Sequence, residues 1–438
     1  MLPTAERGSQ NDRCMNAMRM GFLTGSIAKI GSGRTEAVPL ARGLSRLGCT
    51  VFGIETSRIR RSRVAIEDLE VHREPLAGHL TPDLPAFLAR RNRDLTPTNR
   101  SHELPIYFRA TGRAIHSLTR KLDLDVVYAF HNTNAAAVLQ SWPDARRVLA
   151  INLIGFGIDP SRGGASDTFP LQQRIFDRPS WDLHVTATRF EYDQYRRVYE
   201  YLGIDERKLM HLPHCVDEEV FTPGDRDPNE RANQSSQTIL YPVNVYPRKN
   251  IELALEVLAI VSSKIDCRLI VTGSVWDRPY RDRLLALAKR LGVGDRVSFL
   301  GGVPFEELVR LYQNSDVTVY TSHQETFGHG IAESLACGTP VVGPDWIIPC
   351  REILLQSSGG AAAQKEPASF AATLLAAMSS QPDKVSIAED ARRRFGNRSI
   401  AAAFLARCRE IRDAKEATSK RVRSIDWKGM YEDAGDLL

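Results

Sequence analysis

The stretch ETFGHGIAESLACGTPVVGPD, residues 325–345, carries two glutamates, Glu325 and Glu333, seven residues apart. Between them stand TFGHG and a short apolar run that reads as a helix. A carboxylate that only solvates a surface has no need of glycines beside it. Gly328 and Gly330 allow backbone N–H groups at the helix start to face an anion, and the helix dipole adds to the attraction. A capping turn on an ordinary α/β unit would use the same residue types, so the rest of the chain has to decide.

Upstream of this stretch, short apolar strands alternate with helical patterns. TILYPVNVY is followed by a helix at 250–263, CRLIVTGS by one at 280–291, and VSFLGG by one at 305–314; VTVYTS then leads into Glu325. This alternation predicts a parallel sheet covered on both faces. The same rhythm fills the first half: MRMGFLTGS (18–26), CTVFGIET, LDVVYAFH (124–131), RRVLAINLI (146–154) and DLHVTATR (182–189). Residues 1–17 read as a loose leader. Residues 222–237, TPGDRDPNERANQSSQ, have almost no apolar side chains and read as a linker. The predicted class is therefore α/β with two Rossmann-like domains, 18–221 and 238–420, facing each other across a deep cleft. Ligands in such sheets sit at the carboxyl ends of the strands.

Composition narrows the class. A chain of 438 residues is too long for one ordinary core. With 42% apolar and 25% charged residues it is neither disordered nor fibrous. No apolar run reaches the roughly 20 residues that span a bilayer, and no signal-peptide pattern opens the chain. The seven cysteines are scattered and never form a CxxC pair, which points to reduced thiols and a cytoplasmic protein. A net charge of +5 suits an anionic small substrate or a membrane surface and does not call for nucleic acid. The basic clusters RIRRSR (58–63) and ARRNR (89–93) could meet an anionic acceptor or the inner membrane face, and solvated faces carry such clusters too.

GSGRTE (31–36) lacks the third glycine of G-x-G-x-x-G, because Glu36 stands there. There is no P-loop pattern. The Asp-x-Asp pairs DLD (123–125) and DRD (225–227) fall before a strand and in the linker, so neither offers two carboxylates from a rigid strand end, and no metal is expected. YPRKN (246–250) places Arg248 and Lys249 at a strand end. Two cations there can neutralise a diphosphate, Arg by a bidentate fork and Lys as a point charge. Glu325 then reaches sugar hydroxyls, and Glu333 can accept from a ribose diol. His131 ends a strand of the first half on the cleft side.

Together these residues resemble the GT-B retaining glycosyltransferases of the family 4 class, glycosyl transferases group 1, which carry a Glu-seven-residues-Glu motif. The resemblance runs from about residue 18 to the end. It is closest in ETFGHGIAESLACGTPVVG, YPRKNIELALEVL, RLIVTGS, RVSFLGGVPFEELVRLYQNSDVTVYTS and LPHCVDEEVFTPG. It implies that Glu325 contacts the donor sugar, that Lys249 pairs with the diphosphate, and that His131 lies beside the sugar's reacting face. Thr326 and the amides of Phe327, Gly328, His329 and Gly330 would line the diphosphate and sugar, and Glu333 the ribose. The segment from Val297 to Val303 would hold the nucleobase, and Ser274 would belong to the donor-binding set. Gly31, Ser32 and Gly33 take the place of the loop that contacts the donor phosphate or the acceptor. Asn244 stands where the family has an arginine, with Arg248 as the substitute charge. Cys215 replaces a common glycine, and the segment 421–438 resembles a last helix that returns to the first domain.

The implied activity is retaining transfer of a hexose from a nucleotide-diphosphate sugar. The donor is a UDP-sugar first and GDP-mannose second, and the acceptor is a glycan, lipid or small molecule. The nucleotide sugar is a co-substrate and no other cofactor is implied. An epimerase on the same fold and a non-catalytic nucleotide-sugar binder are the rival readings.

Overall fold

The structure, a computed structural model, describes residues 17–23, 32–57, 62–66, 69–75, 104–131, 135, 138–139, 147–153, 158–159, 164–165, 175–176, 180–224, 236–380 and 383–423. The chain divides into two compact units. Unit 1 is Met1–Val185, Val198–Met210 and Ala401–Leu438, and unit 2 is Thr186–Arg197 and His211–Ile400.

Unit 1 is built on β1 (Arg19–Leu23), α1 (Ser32–Arg46), β2 (Thr50–Ser57), β3 (Ser62–Ile66), β4 (Leu69–Pro75), α2 (Leu104–Lys121), β5 (Val126–Phe130) and β6 (Val148–Asn152). A two-stranded ribbon, β7 (Ile158–Asp159) with β8 (Gly164–Ala165), precedes β9 (Leu183–Thr186), α3 (Arg189–Leu202) and β10 (Leu209–His211); of α3, only the part from Val198 on belongs to this unit. The sheet order is β10-β9-β6-β5-β1-β2-β4-β3. Strands β1, β5 and β6 are buried nearly throughout, as a parallel strand covered on both faces requires. Phe22, Tyr128 and Phe130 meet edge-on or tilted in this core. The sheet ends on a strand that the sequence analysis did not list: β3, which holds Arg63 of the cluster at 58–63, pairs antiparallel with β4. An antiparallel edge strand on a parallel sheet escapes a search for βα alternation. Residues 58–61 and 89–93 lie outside the described residues.

Unit 2 runs β11 (Gln237–Pro242), α4 (Ile251–Ser262), β12 (Cys267–Thr272), α5 (Arg278–Arg290), β13 (Val297–Gly301), α6 (Phe305–Asn314), β14 (Val317–Val319), α7 (His329–Ala336), β15 (Val341–Pro344), α8 (Ile348–Gln356), β16 (Gly360–Ala363), α9 (Pro367–Ser379) and α10 (Lys384–Phe395). Its sheet order is β13-β12-β11-β14-β15-β16, and every pairing is parallel. Counted from β11 this is 3-2-1-4-5-6, the doubly wound order whose direction reverses between its first and fourth strands. Helix α4 is apolar on several faces because it packs on the sheet and against α9; Leu255, Leu258 and Val261 are fully enclosed. Each such side chain contributes roughly 1.5–3 kcal/mol.

The unit boundaries differ from those expected. The described residues on both sides of the polar stretch, 211–224 and 236–400, belong to unit 2, so unit 2 begins before the expected linker. Residues 225–235, like the leader through residue 16, lie outside the described residues. The final helix is α11 (Asn397–Arg423), which begins well before residue 421. From Ala401 on it belongs to unit 1. There Phe404 packs on Tyr128 at 5.0 Å, and Lys415 Nζ donates to Asp182 Oδ2 and the Arg147 carbonyl at 2.6 and 2.8 Å. The six described cysteines (49, 215, 267, 337, 350, 408) are buried free thiols.

Strand β12 turns out of the sheet at Gly273, whose φ is +149°. A Cβ there would lie 2.3 Å from the Val243 carbonyl oxygen, which belongs to backbone and cannot swing aside. Gly273→Ala is therefore expected to destabilise the protein by about 1–3 kcal/mol. Chemical denaturation checks this, and an unchanged midpoint would contradict the turn geometry.

Candidate active site

Both sheets reverse direction at a point where chemistry-bearing residues gather. In unit 2 the reversal falls between β11 and β14. The loop after β11 carries Arg248 and Lys249 in a single 3-10 turn, Pro247–Lys249, and the loop after β14 carries Glu325. Lys249 Nζ lies 2.5 Å from Glu325 Oε1, with both side chains largely enclosed. Ser322 Oγ donates to the same oxygen at 2.8 Å.

What holds these loops in register is a strand residue. Tyr241, fully buried near the end of β11, donates its hydroxyl to the Lys249 carbonyl at 2.5 Å and accepts from the Thr321 amide at 3.1 Å. Burial pushes its phenol above the ordinary range, so it keeps the proton it donates. Asn250, at φ +48°, donates to the Thr321 carbonyl, and Thr321 Oγ1 donates back to the Asn250 carbonyl. His323 N completes the tie by donating to the Arg248 carbonyl at 2.9 Å.

Helix α7 opens on Gly328, in the left-handed region at φ +95°, with no side-chain cap. The first amides of a helix have no partner within it, so this end is electropositive. The Phe327 ring is not part of that surface. It is buried against His214, His329 and Phe395, which leaves only its backbone to serve a ligand. His214 and His329 stack at 4.8 Å. Gly330 is required for packing: a Cβ there would fall 1.8 Å from the Tyr320 hydroxyl. Glu333, in the second turn, is half-buried and accepts from the Tyr312 hydroxyl of α6 at 2.9 Å. Burial raises its carboxyl above the usual carboxylate range, an effect that nearby His329 and the Tyr312 bond partly offset.

The remaining expected positions are also placed. Thr326 and Ser274 are exposed, and Val303 is half-buried after β13. Asn244 uses its side-chain oxygen to accept from the Ser274 amide at 2.9 Å, which joins the ends of β11 and β12. Arg248 is exposed and donates from Nε and Nη2 to the Tyr246 hydroxyl, at 3.0 and 2.6 Å.

In unit 1 the order reverses between β1 and β5. His131 ends β5 at φ +70°, with Nε2 3.9 Å from Oε2 of buried Glu36 in α1. The residue that spoils the dinucleotide fingerprint thus faces the histidine. Ser32 and Gly33 begin α1, and Gly31 lies outside the described residues. Asp123 is an exposed turn residue near Arg147, and Asp125 caps the Arg19 amide; DRD at 225–227 is outside the described residues. The sequence alone does not mark Tyr241, Ser322, Tyr312 or Glu36 as site residues. Only their neighbours in the chain, each at a strand end or helix start, hinted at them.

Residues 225–394 match the family glycosyl transferases group 1. Curated relatives agree with that assignment. A D-inositol 3-phosphate glycosyltransferase of Xylanimonas cellulosilytica is 32% identical over 238 residues, which is 51% of this chain and 56% of the relative. One from Mycobacterium sp. (strain KMS) is 36% identical over 177 residues, 39% of this chain and 38% of the relative. The matched part therefore spans less than two thirds of either relative. Solved structures align over most of the chain. Sucrose-phosphate synthase from Thermosynechococcus elongatus has a TM-score of 0.68 at 16% identity, covering 91% of this chain and 100% of that one. Anabaena HepE, solved in complex with UDP and glucose, has a TM-score of 0.62 at 14% identity, covering 89% and 98%. That likeness concerns the fold, which is GT-B with two Rossmann-like units. The Lys249–Glu325 pair and α7 all fall inside the group 1 region.

An acid whose pKa is higher in the fold than in the unfolded chain costs stability once it ionises. For Glu333 the cost is absent at low pH and grows as pH rises from the ordinary carboxylate value through the raised one. Glu333→Gln keeps an acceptor for Tyr312 and removes the charge. Its melting temperature is expected to exceed that of wild type at pH 8 and to converge with it toward pH 4. A difference that does not change with pH would contradict the assignment.

Proposed function

We propose that the chain is a retaining glycosyltransferase that moves a hexose from a nucleotide-diphosphate sugar, a UDP-sugar first and GDP-mannose second, to a glycan, lipid or small-molecule acceptor. The observation that carries this reading is the Lys249–Glu325 pair, 2.5 Å apart where the sheet of unit 2 reverses direction. The group 1 match over the same residues supports it.

Departure of a nucleoside diphosphate leaves negative charge on one side of the broken C–O bond and a cationic sugar face on the other. Lys249 would turn from Glu325 to the diphosphate, with Arg248 as a second cation in place of the arginine that Asn244 replaces. The amides that open α7 add donors fixed before the reaction starts, the kind of preorganised stabilisation that lowers barriers most. Glu325, released by Lys249, would accept from the sugar hydroxyls, and Glu333 from the ribose diol. His131 belongs beside the reacting face. Retention needs no covalent nucleophile when the acceptor attacks on the face the phosphate leaves and the phosphate takes its proton. No metal or further cofactor enters this scheme. Among the described residues no helix is long and apolar enough to cross a membrane. We place the enzyme in the cytoplasm, with any membrane contact peripheral.

A panel of nucleotide sugars, read by nucleotide release and by mass spectrometry of products with candidate acceptors, tests the reading. Acceptor-dependent release in the presence of excess EDTA is expected. Conversion of the donor without acceptor would favour an epimerase, and donor binding without turnover a binder. Loss of activity to EDTA with rescue by manganese or magnesium would overturn metal independence. Glu325→Gln should stay folded and lose at least ~100-fold in turnover, about 2.7 kcal/mol of transition-state stabilisation. Wild-type turnover in that variant would remove Glu325 from the site.

A further inference from the structure

Next to the ion pair, toward β12, unit 2 carries a large aromatic surface that the scheme above leaves without a task. Trp276 is 65% exposed although it sits close to strand ends and not on a long loop. Its backbone is fixed. Val245 and Val275 form a parallel bridge, the Val245 carbonyl accepts from the amides of Trp276 and Asp277, and Asp277 caps α5 by accepting from Tyr280 N at 2.8 Å. One face of the indole is covered by Tyr246, at 4.9 Å between ring centroids and 23° between planes. The rigid frame and the covering tyrosine leave the other face of the indole open as a flat apolar surface of fixed orientation.

The neighbours say what kind of ligand suits it. Tyr246 accepts from the Arg248 guanidinium, whose carbon lies 5.4 Å from the ring centroid, and Lys249 Nζ lies 5.9 Å from the same centroid. A flat apolar surface is thus joined through one tyrosine to two cations. Along the carboxyl edge of the sheet the order is Glu325 after β14, then Lys249, Arg248 and Tyr246 after β11, then Ser274 and Trp276 after β12, then Gly302 and Val303 after β13. Strands are about 4.8 Å apart, so each step along this edge is about half the length of a nucleoside. A ligand with a polyanion in its middle and a planar ring at one end fits that order.

We propose that the exposed face of Trp276, backed by Tyr246, is a stacking platform for the base of the nucleoside diphosphate. The inference rests on the nucleotide-sugar reading above and adds a residue to it. Stacking engages the π-face that every base has, so the platform gives affinity and leaves the choice between uracil and guanine to the edge contacts near Ser274 and Val303. Tyr246 has two tasks in this arrangement, covering the indole and holding Arg248 toward the phosphates.

Calorimetry with UDP, GDP, ADP and inorganic pyrophosphate on wild type, Trp276→Ala and Trp276→Phe tests it. Trp276→Ala is expected to bind whichever nucleotide wild type prefers about tenfold more weakly. Trp276→Phe should stay within about threefold, and pyrophosphate should bind all three proteins alike. Nucleotide should also quench a component of the tryptophan fluorescence that Trp276→Phe lacks. Equal nucleotide affinity for wild type and Trp276→Ala, or an equal loss for pyrophosphate, would overturn the platform and leave the donor reading standing. If wild type binds none of the three nucleotides, the donor reading falls and the platform with it.

Discussion

The hydroxyl of Tyr241 fixes both functional loops of the second unit. It donates to the carbonyl of Lys249 and accepts from the amide of Thr321, so the loop after β11 and the loop after β14 hang from one buried phenol. A buried hydroxyl with both roles filled is worth keeping, because removing it strands a carbonyl and an amide at about 1–3 kcal/mol. Four residues after Thr321 the chain reaches Glu325, and Ser322 fixes that carboxylate from below. The ion pair therefore follows from the strand register. A largely enclosed pair of this kind is weak evidence for stability, since desolvation of the two charges offsets much of their attraction. Under the proposed function, its value is that each partner is already in place for another ligand.

The doubly wound order gives that arrangement a location. Where the sequence of strands reverses, adjacent loops leave in opposite directions and open a crevice at the carboxyl edge. In unit 2 the reversal lies between β11 and β14, and the cation and the carboxylate come from the two loops that border it. In unit 1 it lies between β1 and β5, where Glu36 and His131 approach each other. The same rule of winding places residues that are far apart in the chain, and it does so twice.

Much of this was legible in the sequence. The strands and helices of unit 2 lie where apolar runs and helical patterns put them, because β11 and β14 are buried on both faces and carry little else. Glu325, Glu333, Lys249 and Arg248 were readable because charge beside glycine or at a strand end is unusual. Other features were not. The β3–β4 hairpin was hidden by its basic residues, and Tyr241 looked like one more apolar strand position. Asn244 is visible in sequence only as a missing cation; in space its side chain ties β11 to β12. The unit boundaries are harder to read, because a polar composition does not by itself mark where one core ends and another begins. The four crossings lie inside β9, α3, β10 and α11, where the regular backbone is continuous and composition gives no signal.

The central claim is that Lys249 is shared between Glu325 and an anionic ligand. It is tested most directly by the affinity of UDP, with GDP as a second titrant, for wild type, Lys249→Met and Glu325→Gln. If the lysine is shared, the two substitutions act in opposite directions. Lys249→Met should weaken binding by about 1.5–3 kcal/mol, the range for hydrogen bonds to charged groups. Glu325→Gln should bind at least as tightly as wild type, because it frees the lysine from its competitor. Equal weakening by both substitutions would mean that the pair only holds the loops together, and would contradict the account.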